Sequence, residues 1–165
     1  MRLSLTAYGA TVVAASAFAF AQPTHAASAA EAIAVQKVTP PDHSGKARIG
    51  KASYYHAMFN GRKMAGGKRF DPNGANAASK TLPLGTIARV TNLANGKSAI
   101  VEIQDRGPYV ADRIVDLSPK TAEALDIKQQ GVARVEVAPI TVPLADGSVR
   151  VGDAGRAADM AVAMR

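Results

Sequence analysis

The sequence predicts an all-β domain, a barrel or a sandwich, on three observations. Short apolar runs that alternate at period two recur about every ten residues, the pattern of half-buried strands. Turn formers separate them, with 14 glycines and 9 prolines in the chain and aromatic residues at only 5%. Only one short helix announces itself clearly, where Ser118 is a good N-cap and Pro119 takes the first helical position. A chain of 165 residues holds one such domain with short tails, not two ordinary domains.

Taken in order, residues 1–26 read as a secretory signal. Arg2 supplies a positive start, residues 12–20 an apolar core, and Thr24-His25-Ala26 a small-residue cleavage site, with Ala19-Phe20-Ala21 as a competing one. Residues 3–21 are long enough to suggest a membrane span, but Ala, Ser, Thr and Gly dominate them and no stop-transfer charges follow. The expectation is an exported, periplasmic protein without stable membrane insertion. Residues 27–46, with Thr39-Pro40-Pro41-Asp42, read as a flexible linker. The barrel is expected over 47–140, and a C-terminal hairpin or tail over 141–165.

Gly50-Lys51-Ala52-Ser53-Tyr54-Tyr55 predicts a first strand ending in two aromatics. Residues 60–74 predict a long loop, punctuated by Gly61, Gly66, Gly67 and Gly74 and carrying Arg62, Lys63, Lys68 and Arg69. Loops of this length in a compact domain are usually functional or mobile. Asp71 before Pro72 is a turn former first and a catalytic candidate second. Residues 75–79 suggest a short helical turn. Strands over 86–93 and 98–105 are joined by a hairpin at Ala94-Asn95-Gly96-Lys97, and Ile114-Val115-Asp116-Leu117 is a further short strand. The helix capped by Ser118 runs through Leu125. Residues 132–137 alternate again, and Asp146-Gly147 suggests a last hairpin. The Ala- and Met-rich residues 152–165, lacking a strong cap, read as a frayed tail or weak helix.

The chemistry concentrates at 104–109. Ala99, Val101, Ile103 and Asp105 share one face of their strand, so an acid arrives at the end of a mostly apolar row. Gly107-Pro108 forces the chain to turn directly after it. Asp105 therefore has two readings: an acid placed for general acid or base work, or a turn carboxylate that caps backbone N–H groups or pairs with Arg106. The net charge of +7 favours an anionic partner, whether nucleic acid, an anionic membrane surface or a cell-wall polymer. Export argues against nucleic acid. With no cysteine the fold is not disulfide-stapled, and His25, His43 and His56 do not approach metal-ligand spacing, so no metal or cofactor is expected.

An ordered set of motifs resembles the rare lipoprotein A (RlpA) family from about Gly50 to about Val137: Gly50-x-Ala52-Ser53-Tyr54-Tyr55, Gly61-Arg62-Lys63, Phe70-Asp71, Lys80-Thr81-Leu82-Pro83, Val90-Thr91-Asn92-Leu93, Asn95-Gly96, Asp105-Arg106-Gly107-Pro108-Tyr109 and Arg113-Ile114-Val115-Asp116-Leu117-Ser118. The resemblance implies a six-stranded double-psi β-barrel with one short helix, akin to the first domain of expansins. It also implies lytic transglycosylase activity on peptidoglycan glycan strands, particularly strands stripped of stem peptides, with cell-division septal proteins as partners. Two departures stand out. Where the family's loop commonly reads Thr-Ala-Asn-Gly-Glu, this chain has Met64-Ala65-Gly66-Gly67-Lys68; where the family has Ala-Ala-His, it has Ala77-Ala78-Ser79. Of three polar residues that look catalytic in the family, Asp105 is the one present.

One acid is enough for lytic cleavage in principle. The bond between N-acetylmuramic acid and N-acetylglucosamine breaks as the sugar's own C6 hydroxyl attacks the anomeric carbon, so no water need be activated by a second carboxylate. Asp105 is expected to protonate the leaving oxygen and then accept the hydroxyl's proton. Lys68, Asp71, Ser79, Arg106, Tyr54, Tyr55 and Tyr109 are the candidate glycan contacts, the tyrosines being either core residues or sugar platforms. Restoring Glu at 68 and His at 79 is expected to raise the turnover of a slowed enzyme, by no more than about 10³-fold. The competing class is a non-catalytic, wall-binding barrel whose basic loop attracts anionic peptidoglycan.

Overall fold

A computed structural model describes residues 40–164. The expected signal and residues 27–39 of the expected linker lie outside the described residues. Seven strands form one sheet: β1 (Arg48–Tyr54), β2 (Asn76–Ala78), β3 (Ile87–Asn92), β4 (Ser98–Asp105), β5 (Arg113–Leu117), β6 (Ala133–Pro143) and β7 (Val149–Val151). The order β1-β5-β2-β4-β3-β6 closes on itself because β1 also pairs with β6, and β7 is added to β6 outside the ring. The result is a closed six-stranded barrel with one extra strand. Closure leaves no free edge in the ring, which suits an all-β domain with no disulfides.

Alternation decides what faces inward. Along β3, Ala88, Val90 and Asn92 are buried and their neighbours partly exposed, and along β4 Val101 and Ile103 do the same. Ile103, Leu117, Leu125, Ile127, Val90 and Val135 have no or almost no exposure, each contributing about 1.5–3 kcal/mol of burial. Asn92 is polar but satisfied: its Nδ2 donates to the Leu125 carbonyl at 2.8 Å and its Oδ1 accepts from Ala94 N at 3.0 Å. Helix α1 (Pro119–Ala124) starts as expected, with the Ser118 hydroxyl accepting from Thr121 N at 3.2 Å.

One expectation is corrected and one alternative is decided. Residues 75–79 do not form a helical turn; they contain β2, all three of whose residues are buried, parallel to β4 and antiparallel to β5. Ala77 packs in the barrel core and Ala78, on the opposite face, is equally buried, and ladders on both sides outweigh alanine's local helix preference. Of the two readings of the C-terminal residues, tail or helix, the helix is the one observed. It is α2 (Asp153–Ala163), which joins α1 and a short 3₁₀ turn at Ala57–Phe59 among the described residues.

The anchors of α2 lie far away in sequence. Asp153 N donates to the Gly45 carbonyl at 2.9 Å, and its Oδ2 accepts from Ala47 N at 2.7 Å. A Cβ on Gly152 would lie 2.3 Å from the Pro139 carbonyl oxygen and one on Gly155 2.6 Å from that of Ile140, so these glycines let α2 start directly on β6. Asp42, in the segment read as linker, donates its N–H to the Thr81 carbonyl at 2.6 Å and pairs with Arg48 at 2.6 Å. The last residues before β1 therefore run against the barrel.

Candidate active site

At one end of the barrel, the C-terminal ends of β1 and β4, the 56–70 loop and the β4–β5 connection surround a cleft of about 540 Å³. Asp105 lies in it because of a local irregularity. Ala77 pairs with Ile103 but Ala78 pairs with Asp105, so Gln104 is an extra residue in β4. A bulge of this kind re-aims the side chain that follows it. The chain then turns through a cis Gly107-Pro108 peptide.

Both oxygens of Asp105 are held. Oδ1 accepts from Ala65 N and from Arg106 N, each at 2.9 Å, and Oδ2 accepts from the Tyr55 hydroxyl at 2.8 Å. The loop reaches it because Gly66 N donates to the Gln104 carbonyl at 2.8 Å. A Cβ on Gly66 would stand 2.9 Å from that oxygen, so glycine permits the approach. Tyr55 is fixed in turn by Phe59, edge-on at 5.5 Å, and by buried Phe70, tilted at 4.7 Å. Burial first, and then its bond to Asp105, push the Tyr55 hydroxyl above the usual tyrosine range. It is a donor at any physiological pH.

Asp105 thus caps backbone N–H groups, as the turn reading expected, and also lines the cleft. The Asp–Arg pair does not form. Arg106 donates from Nη1 to the carbonyls of Ser79 at 3.2 Å and Leu82 at 2.6 Å. Tyr54 and Tyr109 line the cleft with Tyr55 and Arg106. Tyr109 is 66% exposed, whereas the Tyr54 hydroxyl is bonded to the Lys128 carbonyl at 3.1 Å.

Three expected contacts are not in the cleft lining, and each has a physical reason. Lys68 turns to Glu102, with Nζ 3.3 Å from Oε2. The Ser79 side chain is buried, its hydroxyl accepting from Thr81 N at 3.4 Å and Leu82 N at 3.2 Å. Asp71 accepts from Asn73 N at 2.9 Å and is the turn former it first suggested.

The cleft contains a second carboxylate that sequence reasoning treated only as part of an apolar run. Ala78 pairs with Asp105 of β4 on one side and with Asp116 of β5 on the other, and Asp116 pairs with Ser53 of β1. Two strand spacings put the acids' backbones about 10 Å apart across an alanine. The Ser53 hydroxyl donates to Asp116 Oδ1 at 2.5 Å, and Arg113 Nη2 lies 3.6 Å from Oδ2. The available signal was alternation: Asp116 lies on the face opposite buried Val115 and Leu117. Together they place two carboxyl groups in the lining of the cleft.

A family model described as lytic transglycolase matches residues 47–137. The chain is 54% identical over 88 residues to an RlpA protein of Treponema pallidum, covering 53% of this chain and 28% of that one. It is 43% identical over 109 residues to the endolytic peptidoglycan transglycosylase RlpA of Neisseria meningitidis serogroup A, covering 66% of this chain and 46% of that one. It therefore spans less than half the length of these curated relatives. Among solved structures it is similar to a Clavibacter michiganensis expansin, with a TM-score of 0.44 and 18% identity over 57% of this chain and 50% of that one. With the match running from the start of β1 into β6, the chain belongs to the lytic transglycolase family of RlpA-like double-psi β-barrels.

Proposed function

We propose that the protein is an endolytic lytic transglycosylase that acts on peptidoglycan glycan strands in the periplasm, with Asp105 as general acid and then base. The observation that supports it most is the hold on Asp105. Oδ1 already has two backbone donors, whereas Oδ2 has only the Tyr55 hydroxyl. The open lone pair on Oδ2 is the one able to exchange a proton with a sugar in the cleft.

The proton of the Asp105 carboxyl goes to the glycosidic oxygen as the C1–O4 bond breaks. The C6 hydroxyl oxygen then bonds to C1 and returns its proton to Asp105, leaving a 1,6-anhydro end and no net change in the enzyme. Asp116, held by Ser53, adds negative charge where the sugar ring becomes positive.

The test is product analysis. Purified protein incubated with peptide-free glycan strands is expected to generate 1,6-anhydro ends detectable by mass spectrometry. Strands that bind and are recovered uncut would leave a wall-binding barrel instead. Within the enzyme reading, Tyr55→Phe keeps the ring packing but removes the donor to Oδ2. Turnover is expected to fall about tenfold, the scale of one hydrogen bond to a charged group. Unchanged turnover in that variant would remove Tyr55 from the positioning of Asp105.

A further inference from the structure

The cleft lining includes four cationic side chains, Arg62, Lys63, Arg106 and Arg113, and two of them are already engaged. Arg106 is bonded to the Ser79 and Leu82 carbonyls, and Arg113 faces Asp116. Arg62 and Lys63 form no ion pair among the described residues, and both are exposed. Arg62 is also held in place. Its guanidinium lies 5.4 Å from the centre of the Phe59 ring, Phe59 packs edge-on against Tyr55, and Tyr55 bonds Asp105. A chain of contacts thus links an unpaired cation to the acid.

We propose that Arg62 and Lys63 recognise a carboxylate on the sugar beside the scissile bond and so set which glycans the cleft accepts. This rests on the reading of the cleft as a peptidoglycan glycan site. The muramic acid residue carries a lactyl ether whose carboxyl group is a free anion in stripped strands and a neutral amide where a peptide is attached. A guanidinium pairs with a carboxylate through two parallel hydrogen bonds. An amide offers one acceptor and no charge, so peptide-bearing strands lose the attraction while adding bulk at the rim.

The test separates charge from bulk. Binding is measured in an Asp105→Asn background, so that strands are not consumed, with peptide-free strands and with the same strands after their lactyl carboxylates are converted to methylamides. The native pair is expected to favour the carboxylate strands by about tenfold at low salt, since each exposed charge pair is worth up to about fivefold. That preference should shrink at high ionic strength. With Arg62→Gln and Lys63→Gln together, the ratio is expected to fall to about one, through weaker binding of the carboxylate strands alone.

Both substitutions leave the backbone bonds of the loop, Arg62 N to the Phe59 carbonyl and Phe70 N to the Arg62 carbonyl, in place. Equal binding of the two strand types by the native cleft, or an undiminished ratio in the double variant, overturns the assignment. Absence of anhydro products with the carboxylate preference intact overturns the lytic reading and leaves this one standing.

Discussion

Asp105→Asn is expected to lower anhydro-product formation by at least about 10²-fold, the scale of a lost general acid–base group. The folded domain should hardly notice. The amide oxygen can still accept from Ala65 N and Arg106 N in the place of Oδ1. The amide nitrogen then faces the Tyr55 hydroxyl, which can turn to accept instead of donate. Shape, packing and hydrogen-bond count survive, so the melting temperature should move by only a few degrees. What is lost is the ability to give up a proton and take it back. Chromatography of the digestion products and a thermal melt read the two effects separately. Turnover that survives Asp105→Asn would take Asp105 out of the chemistry and make Asp116 the acid to replace next.

The parts of the fold legible in the sequence were those written in local pattern. Period-two runs marked β3 and β4, Asn95-Gly96 the hairpin between them, and Ser118-Pro119 the start of α1. The elements that local pattern misread or left undecided are governed by partners remote in sequence. β2 is a strand because β4 and β5 flank it, and α2 is a helix seated on Gly45, Ala47 and β6. The site divides along the same line. Asp105 could be found as the acid at the end of β4, but the bulge at Gln104 turns it off the apolar row of Val101 and Ile103, and its holder Ala65 comes from a loop 40 residues away. Motif order placed Lys68 and Ser79 in the site but said nothing of side-chain direction. In the fold, one turns to Glu102 and the other to backbone N–H groups. Asp116 went unnoticed because its role depends on two strand registers rather than on its neighbours.

That difference in direction reverses the expected result of restoring the family's residues. Ser79→His with Lys68→Glu is expected to lower both stability and turnover. Position 79 is 2% exposed, and its small hydroxyl accepts from two N–H groups. An imidazole there overfills the space and leaves those donors without their partner, a loss of roughly 2–4 kcal/mol. A domain of this size should then melt about 10 °C lower. The backbone N–H of Ser79 also donates to the Asp105 carbonyl at 3.1 Å, so displacement at 79 reaches the acid directly.

Lys68→Glu acts through the loop. It sets a carboxylate against Glu102, whose Oε2 also accepts from Gln104 Nε2 at 2.5 Å, and turns an attraction into a repulsion of up to about 1 kcal/mol. The loop residues that deliver the Ala65 N–H to Asp105 are then less firmly held, and turnover should drop a few-fold, since 1 kcal/mol is about a factor of five. The exchange Lys68→Glu with Glu102→Lys re-forms the pair in reverse and should recover most of that drop, which a purely local effect of Glu at 68 would not allow. Thermal melts and anhydro-product rates on the single changes, the pair and the exchange give all the comparisons needed. A rise in turnover from Lys68→Glu and Ser79→His, without a lower melting temperature, would mean that both side chains swing into the cleft and that the polar set of the relatives is rebuilt there.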